Sequence, residues 1–376
     1  MTPPAVVVPA ARSVSFGLVR GTVGPGATRI VVSVDGRKAG ETEPVWGRFT
    51  VRVALPPRDA RVRVTALGQR GGRASTTIAP VFGLPRAAAQ PTTRRFEDPV
   101  LARRLRAALA QYSGITSAYV EDLGTGAGAA WNAGARYPAA STLKLAIAVE
   151  AMRRLGGIPR PGAPLDVLLA DMLELSDNAA ANELETWLGG SESGGAEYVN
   201  ATMEALGLED SHLYGGFAVG TSRGPGPMSI DVVSQPVFGH EKYTTAWDLA
   251  RLARDIHLAA EGRGPLVELD GFTAAEARYL LFLLAHSKDH GKLDREVGGR
   301  AVVLHKAGWI IHARHDNGVV YWRHGAFVAT VMTWNDYGVD DEASDALAGR
   351  VARIALERFR ELRREPPPGR LMRPLA

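Results

Sequence analysis

Cysteine is absent from all 376 residues. That excludes disulfides, thiolate metal sites and a cysteine nucleophile. No apolar run approaches the ~18 residues of a membrane-spanning helix, and the longest block is 279–285. Residues 1–11 carry Val6, Val7 and Val8, but no basic start and too short an apolar core for a signal peptide. Net charge is only +4, and no basic stripe interleaved with aromatics exists. Nucleic-acid binding is therefore not expected. Arg358, Arg360, Arg363 and Arg364 read as the solvated face of a last helix and tail. Lysine is scarce: of 44 Lys+Arg, the lysines are 38, 144, 242, 288, 292 and 306 alone. A chain that uses arginine wherever a cation suffices keeps lysine for a reason, because lysine can lose its proton and arginine cannot.

What is present is a globular composition, 45% hydrophobic and 22% charged, long enough for two or more domains. Residues 12–82 alternate with period two in "SVSFGLVRGTV", "TRIVVSVDGRK", "GRFTVRVAL" and "ARVRVTAL", with Asp35-Gly36 as a hairpin turn. They read as a small β-sandwich that resembles bacterial immunoglobulin-like modules. Its strands carry no candidate catalytic group, so a spacer or stability role is expected, with wall binding as the alternative. A Pro- and Ala-rich linker follows at 83–95. Residues 96–365 then read as an α+β unit. It has a helix at 99–112, strands "SAYVEDL" and "GAAWNAG", and a long helical region from 141 to 207. A Gly- and Pro-rich loop spans 214–243. Helices follow at 245–260 and 273–287, then strands at 301–311, 317–323 and 326–334, and a last helix at 342–364. A helical block is thus inserted between two halves of an antiparallel sheet, with helices from both chain ends covering it. No internal repeat is seen.

In "YPAASTLKLAIAVEAM", residues 137–152, Leu143, Ile147 and Met152 mark a helix. Ser141 stands at its entrance and Lys144 one turn further on the same face. A serine hydroxyl needs a neighbour to take its proton. Lys144 can do so if burial, nearby cations and the positive helix end neutralise it. Two further segments join this pair. Ser176-Asp177-Asn178 lies in "MLELSDNAAANEL", and Lys306-Ala307-Gly308 in "VVLHKAGWI".

The ordered triplet resembles the S-x-x-K, S-D-N and K-T-G motifs of class A β-lactamases and penicillin-binding proteins. "YPAASTLK", "LSDNAAANEL" and "TTAWDLARL" at 244–252 are similar to the family's surroundings of those motifs. The resemblance covers roughly 95–365. It implies a β-lactamase/transpeptidase-like fold, with an antiparallel sheet, flanking helices and an all-α subdomain. It implies that Ser141 is the acylated nucleophile and Lys144 its general base, directly or through water. Ser176 would relay a proton to the leaving nitrogen, and Asn178 would bind the substrate amide and Lys144. Lys306 would serve Ser176 and a substrate carboxylate. Ala307, Gly308 and Trp309 would line the substrate, with the N–H groups of Ser141 and Trp309 as oxyanion hole. Asp177 would hold its loop. No metal or cofactor is implied.

The sequence departs from the family at three places. The third motif reads K-A-G, so Ala307 replaces a hydroxyl that binds the β-lactam carboxylate. Thirty-five positions separate Ser141 from Ser176, fewer than in class A enzymes, which predicts a more open cleft. The family's Ω-loop Glu-x-x-Leu-Asn, whose Glu activates the deacylating water, is missing from "YGGFAVGTSRGPGPMSIDVVSQPVFGHEKY". Asp231 and Glu241 are its only carboxylates before Tyr243, and both read as surface residues. His312 and His315 form H-x-x-H on strands, where such residues face opposite sides, so a two-histidine metal clip is not expected. His305 would face away from Lys306. The expectation is acyl transfer on a β-lactam amide through a Ser141 ester that deacylates slowly. The alternatives are a D-alanyl peptidase or esterase, and a non-turnover sensor of β-lactams or peptidoglycan. Partners are a β-lactam or D-alanyl peptide and cell-wall peptidoglycan, and the chain is expected to be a monomer. The lack of cysteine fits an exported bacterial enzyme, so a periplasmic, envelope or extracellular location is expected.

Overall fold

The computed structural model describes residues 1–92, 95–217, 234–239 and 241–364. Its first eight strands are β1 (Ala5–Val8), β2 (Ser13–Ser15), β3 (Leu18–Thr22), β4 (Ala27–Val34), β5 (Arg37–Thr42), β6 (Arg48–Arg52), β7 (Asp59–Gly68) and β8 (Arg73–Gly83). They form two sheets, β1-β3-β6 and β2-β8-β7-β4-β5. Period-two alternation turns Val19, Ile30, Val32, Phe49, Val51, Val62 and Val64 into a core of their own. Asp35 and Gly36 both have positive φ, 47° and 83°, as a tight turn between β4 and β5 requires.

This unit is not a bead on a string. Val14, Phe16, Phe82, Leu84 and Ala88 belong to the largest core of the following unit. Arg12 forms an ion pair with Asp166, Asp59 lies 3.1 Å from His286, and the Phe16 ring meets His257 edge-on at 5.8 Å. The segment expected as a linker starts with a docked turn, Arg86–Ala89, in which Ala88 is buried.

The second unit continues with β9 (Phe96–Glu97), α1 (Pro99–Leu109), β10 (Ile115–Asp122), β11 (Ala127–Trp131) and β12 (Tyr137–Pro138). Next come a 3-10 turn at Ala140–Leu143, α2 (Lys144–Leu155), α3 (Pro164–Glu174), α4 (Asn178–Gly189) and α5 (Glu192–Ala205). The remainder is β13 (Tyr243–Thr244), α6 (Ala246–Ala260), α7 (Ala274–Leu284), β14 (Ala301–Ile310), β15 (Ala313–Trp322), β16 (Gly325–Trp334) and α8 (Asp341–Arg364). The main sheet runs β14-β15-β16-β10-β11-β9. It is antiparallel except for β9 on β11. On one face α1 and α8 pack through Leu101, Leu105, Val351, Leu356 and Phe359. On the other lie α6 and the helical block.

Three expectations change. The helical region from 141 to 207 is five elements, because Gly156 and Gly190 take left-handed φ of 62° and 76° and end α2 and α4. β15 begins at Ala313, not 317, since Arg314 and Asp316 hide the strand pattern while finding partners across the fold. Arg358 is not merely solvated: its Nε donates to buried Asp98 Oδ2 at 2.8 Å. Asp98 also caps α1, accepting from Val100 N at 2.9 Å. Arg363 lies 3.8 Å from buried Asp122. No described helix is long and apolar enough to cross a membrane.

Candidate active site

Ser141 is delivered by a strained approach. Ala140, just before it, has φ 47°, a left-handed conformation that costs a non-glycine residue on the order of 1–3 kcal/mol. The approach is pinned from below. His315 donates from Nε2 to Pro138 O at 2.9 Å, which fixes its tautomer, and burial lowers its pKa to about 4, so the ring is neutral. Ala139 N donates to Lys242 O at 2.8 Å. Thr142 Oγ1 donates to Ala139 O at 2.6 Å and closes the turn. From above, β14 presses on the same turn at Gly308. A Cβ there would stand 2.6 Å from Ser141 N and 2.8 Å from Thr142 N, so only glycine allows the approach.

Lys144 opens α2 and is fully buried. Its Nζ donates to Ser176 O and to Asn178 Oδ1, both at 2.5 Å. Burial first, then the cations of Lys306 and Lys242, lower its pKa to about 7. An amine in that range can accept a hydroxyl proton near neutral pH. Ser176 lies between α3 and α4 with φ 60°, and Asp177 caps α4 by accepting from Ala180 N at 2.7 Å. Lys306 Nζ donates to Ser176 Oγ at 2.8 Å and to Ala307 O at 2.7 Å. Its burial lowers its pKa to about 8. The residues singled out at 144, 176, 178 and 306 therefore meet in one hydrogen-bonded cluster, with Gly308 backed onto Ser141. Ala307 is packed away at 1% exposure and offers the cluster only its carbonyl, while Trp309 is 63% exposed at the rim. Leu175 and Ile311 are also exposed, at 60% and 76%.

Four residues of the site were not singled out from the sequence. Asn182 on α4 clamps the backbone of Phe217, accepting from its N at 2.6 Å and donating to its O at 3.2 Å. The clamp holds the Phe217 ring centre 4.8 Å from Lys144 Nζ and 3.7 Å from Lys242 Nζ. Glu185 Oε2 accepts from Gly216 N at 2.8 Å. Burial raises the Glu185 pKa to about 7, and its other oxygen is buried with no hydrogen-bond partner among the described residues. Lys242 donates to Gly216 O, and burial lowers its pKa. Two signals were available. Lys242 was one of six scarce lysines, and Glu185 follows Asn178 by seven residues, two turns along one face.

Of the loop carboxylates, Asp231 lies outside the described residues. Glu241 is half-buried and raises the pKa of Lys242 electrostatically. No described hydrogen bond joins its side chain to Ser141 or Lys144. His312 and His315 part company: His312 Nδ1 faces Asn335 O at 3.2 Å, while His315 serves Pro138. His305 turns from Lys306 to Asp316, with Nδ1 2.8 Å from its carboxylate.

The profile of the Beta-lactamase enzyme family matches residues 100–157 and 159–359. No curated protein matches the chain. Several solved structures share the fold. A PBP-A mutant in acyl-enzyme complex with penicillin G covers 72% of this chain and 100% of its own, with TM-score 0.55 and 20% identity. An ancestral class A β-lactamase covers 69% and 100%, with TM-score 0.53 and 22% identity. The β-lactamase from Sphaerobacter thermophilus covers 69% and 97%, with TM-score 0.53 and 21% identity.

Proposed function

The chain belongs to the Beta-lactamase enzyme family, and on that premise we propose that it opens β-lactam amides through a Ser141 ester that it hydrolyses slowly. The observation that carries this is the Lys144–Ser176–Lys306 cluster set against the turn of Ser141. Neutral Lys144 takes the Ser141 proton as Oγ attacks the carbonyl carbon. The oxyanion rests on the N–H groups of Ser141 and Trp309, a donor of this kind being worth about 2.7–4 kcal/mol. Ser176, held by Lys306, gives its hydroxyl proton to the leaving nitrogen and is reprotonated by the Lys144 ammonium, which returns Lys144 to its neutral form, and Asn178 holds the acylamide side chain. Charged Lys306 binds the substrate carboxylate, without help from a hydroxyl at Ala307. Slow hydrolysis follows from what faces Lys144, an aromatic ring on a clamped backbone.

A second reading has one observation in its favour. Leu175, Trp309 and Ile311 are exposed at the rim, which suits a larger D-alanyl peptide as acyl donor. The same chemistry would then run on an acyclic amide. Intact-mass measurement over time, with a penicillin and a chromogenic cephalosporin, decides. A β-lactam adduct that forms on wild type, decays slowly and never forms on Ser141→Ala supports the proposal. An adduct that never decays, with release of D-alanine from a peptide, supports the second reading. An adduct on Ser141→Ala overturns both.

A further inference from the structure

On the far side of β14 from Ser176 lies a group of side chains that the serine chemistry does not use. His305 is 1% exposed. Its Nδ1 lies 2.8 Å from both carboxylate oxygens of Asp316, so Nδ1 carries the proton and Nε2 is the atom left to act. That Nε2 is buried and has no hydrogen-bond partner among the described residues. A buried imidazole nitrogen without a partner costs on the order of 1–3 kcal/mol, which a bound ion would recover. The groups nearest in chemistry are His290 and Asp294. One nitrogen of each histidine and one oxygen of Asp294 all lie within 4.8 Å of one another, and the two rings are 6.5 Å apart between centres.

Backbone N–H groups support one oxygen of Asp294, and its other oxygen is hydrogen-bonded to His290, a contact that a bound ion would replace. Asp294 Oδ1 accepts from Gly291 N at 2.8 Å and Lys292 N at 2.9 Å. Its Oδ2 is turned to His290 Nδ1 at 3.2 Å. Two ligands on a tetrahedral zinc, each about 2.0–2.1 Å from the ion, stand about 3.3 Å apart: the His290–Asp294 pair already has that spacing, and His305, within 4.8 Å of both, would close by up to about 1.5 Å. Asp316 also accepts from Leu293 N at 3.0 Å, which ties the segment of His290 and Asp294 to the strand that orients His305. A carboxylate holding the far nitrogen of a ligating histidine is the usual outer support of a metal-bound imidazole. Lys292, the cation between His290 and Asp294 in the chain, is occupied by Asp289.

We propose that His290, Asp294 and His305 form a binding site for a divalent first-row transition ion, zinc above all, with Asp316 as the positioning residue for His305. Two imidazole nitrogens and one carboxylate oxygen suit such an ion and not magnesium or calcium, which take oxygen ligands. The exposed side of His290 leaves a fourth position for water. The ion would clasp the segment 286–297 to β14 and β15, one residue from Lys306, and takes no part in acyl transfer.

The test uses the full chain, freed of any purification tag and treated with a chelator. Zinc is titrated in competition with a chromogenic chelator, and melting temperature is followed with zinc, magnesium or calcium. Expected are one equivalent of bound zinc and stabilisation by zinc alone. His290→Ala, at an exposed position that leaves the fold intact, should weaken zinc binding at least tenfold, and Asp294→Asn likewise. Asp316→Asn should weaken it by about 10–100-fold. Absence of saturable one-equivalent binding in wild type overturns the proposal. So does zinc binding of undiminished affinity in the His290→Ala, Asp294→Asn double variant.

Discussion

Lys144 Nζ faces the ring of Phe217 at 4.8 Å from its centre. The ring is there because Asn182 grips the Phe217 backbone on both sides, N and O. A carboxylate on the same backbone position would point at the amine and at water beside it. Phe217→Glu is therefore expected to shorten the lifetime of the acyl-enzyme, by up to the 10²–10⁴-fold that a general base contributes. The decay of the mass adduct measures it. A lifetime unchanged in a folded variant would show that the ring does not limit hydrolysis.

Acylation should be bell-shaped in pH. It needs Lys144 neutral, above about 7, and Lys306 charged, below about 8. The two limbs belong to the coupled cluster rather than to single residues. Lys242 lowers the Lys144 pKa through its charge, so Lys242→Met should move the acid limb to higher pH. Stopped-flow acylation with a chromogenic β-lactam reads both limbs. An acid limb unmoved in Lys242→Met would mean that another group sets it.

Lys144→Arg should lose acylation about as severely as Lys144→Ala, 10²-fold or more, since arginine cannot give up a proton in this role. A stability measurement separates this from mere packing. The folded Lys144 titrates at about 7, the unfolded one near ~10.4. Between those values the unfolded chain binds the extra proton, so this group's contribution to stability rises with pH. Below about pH 7 the penalty of burying the cation is fully present. Lys144→Met should thus gain melting temperature over wild type most at low pH, the gain shrinking toward about pH 10. A gain independent of pH would place the Lys144 pKa at its ordinary value.

Gly308→Ala would put a methyl group 2.6 Å from Ser141 N. Overpacking of this kind costs about 1–3 kcal/mol. Because the displaced atom is an oxyanion donor in the proposed mechanism, acylation should fall by 10²–10³-fold. Thermal melting and acylation rate together test it, and a wild-type rate would remove Ser141 N from the mechanism.

Much of this was legible in the sequence for a physical reason. Period-two alternation marked β3, β4, β6 and β7, because one face of each is core. Asp35-Gly36 marked their tightest turn. The motif residues stood out because the chemistry proposed for them restricts residue type: a lysine that is to titrate cannot be replaced by an arginine. β8 was not marked, because its Ser75, Thr76 and Thr77 show little hydrophobic contrast, and neither was β1, whose three valines read as a failed leader. Asp98 and Arg358 were illegible as a pair, since 260 positions separate them. Phe217 carries no chemical signature at all. Its importance lies in where Asn182 puts it, and that is known only once the chain has closed on itself.

The docking of the N-terminal strands also bears on modularity. Val14, Phe16, Phe82, Leu84 and Ala88 complete a core made mostly of residues from the second unit, and Arg12 and Asp59 reach Asp166 and His286. A catalytic unit cut free at residue 95 would bare that apolar seam, and another front module fused in its place would have to reproduce it. Exchanging either unit would therefore require carrying the matching face of the seam with it. A substitution on one side of the seam is thus constrained by what stands on the other, and the two units answer to one packing requirement.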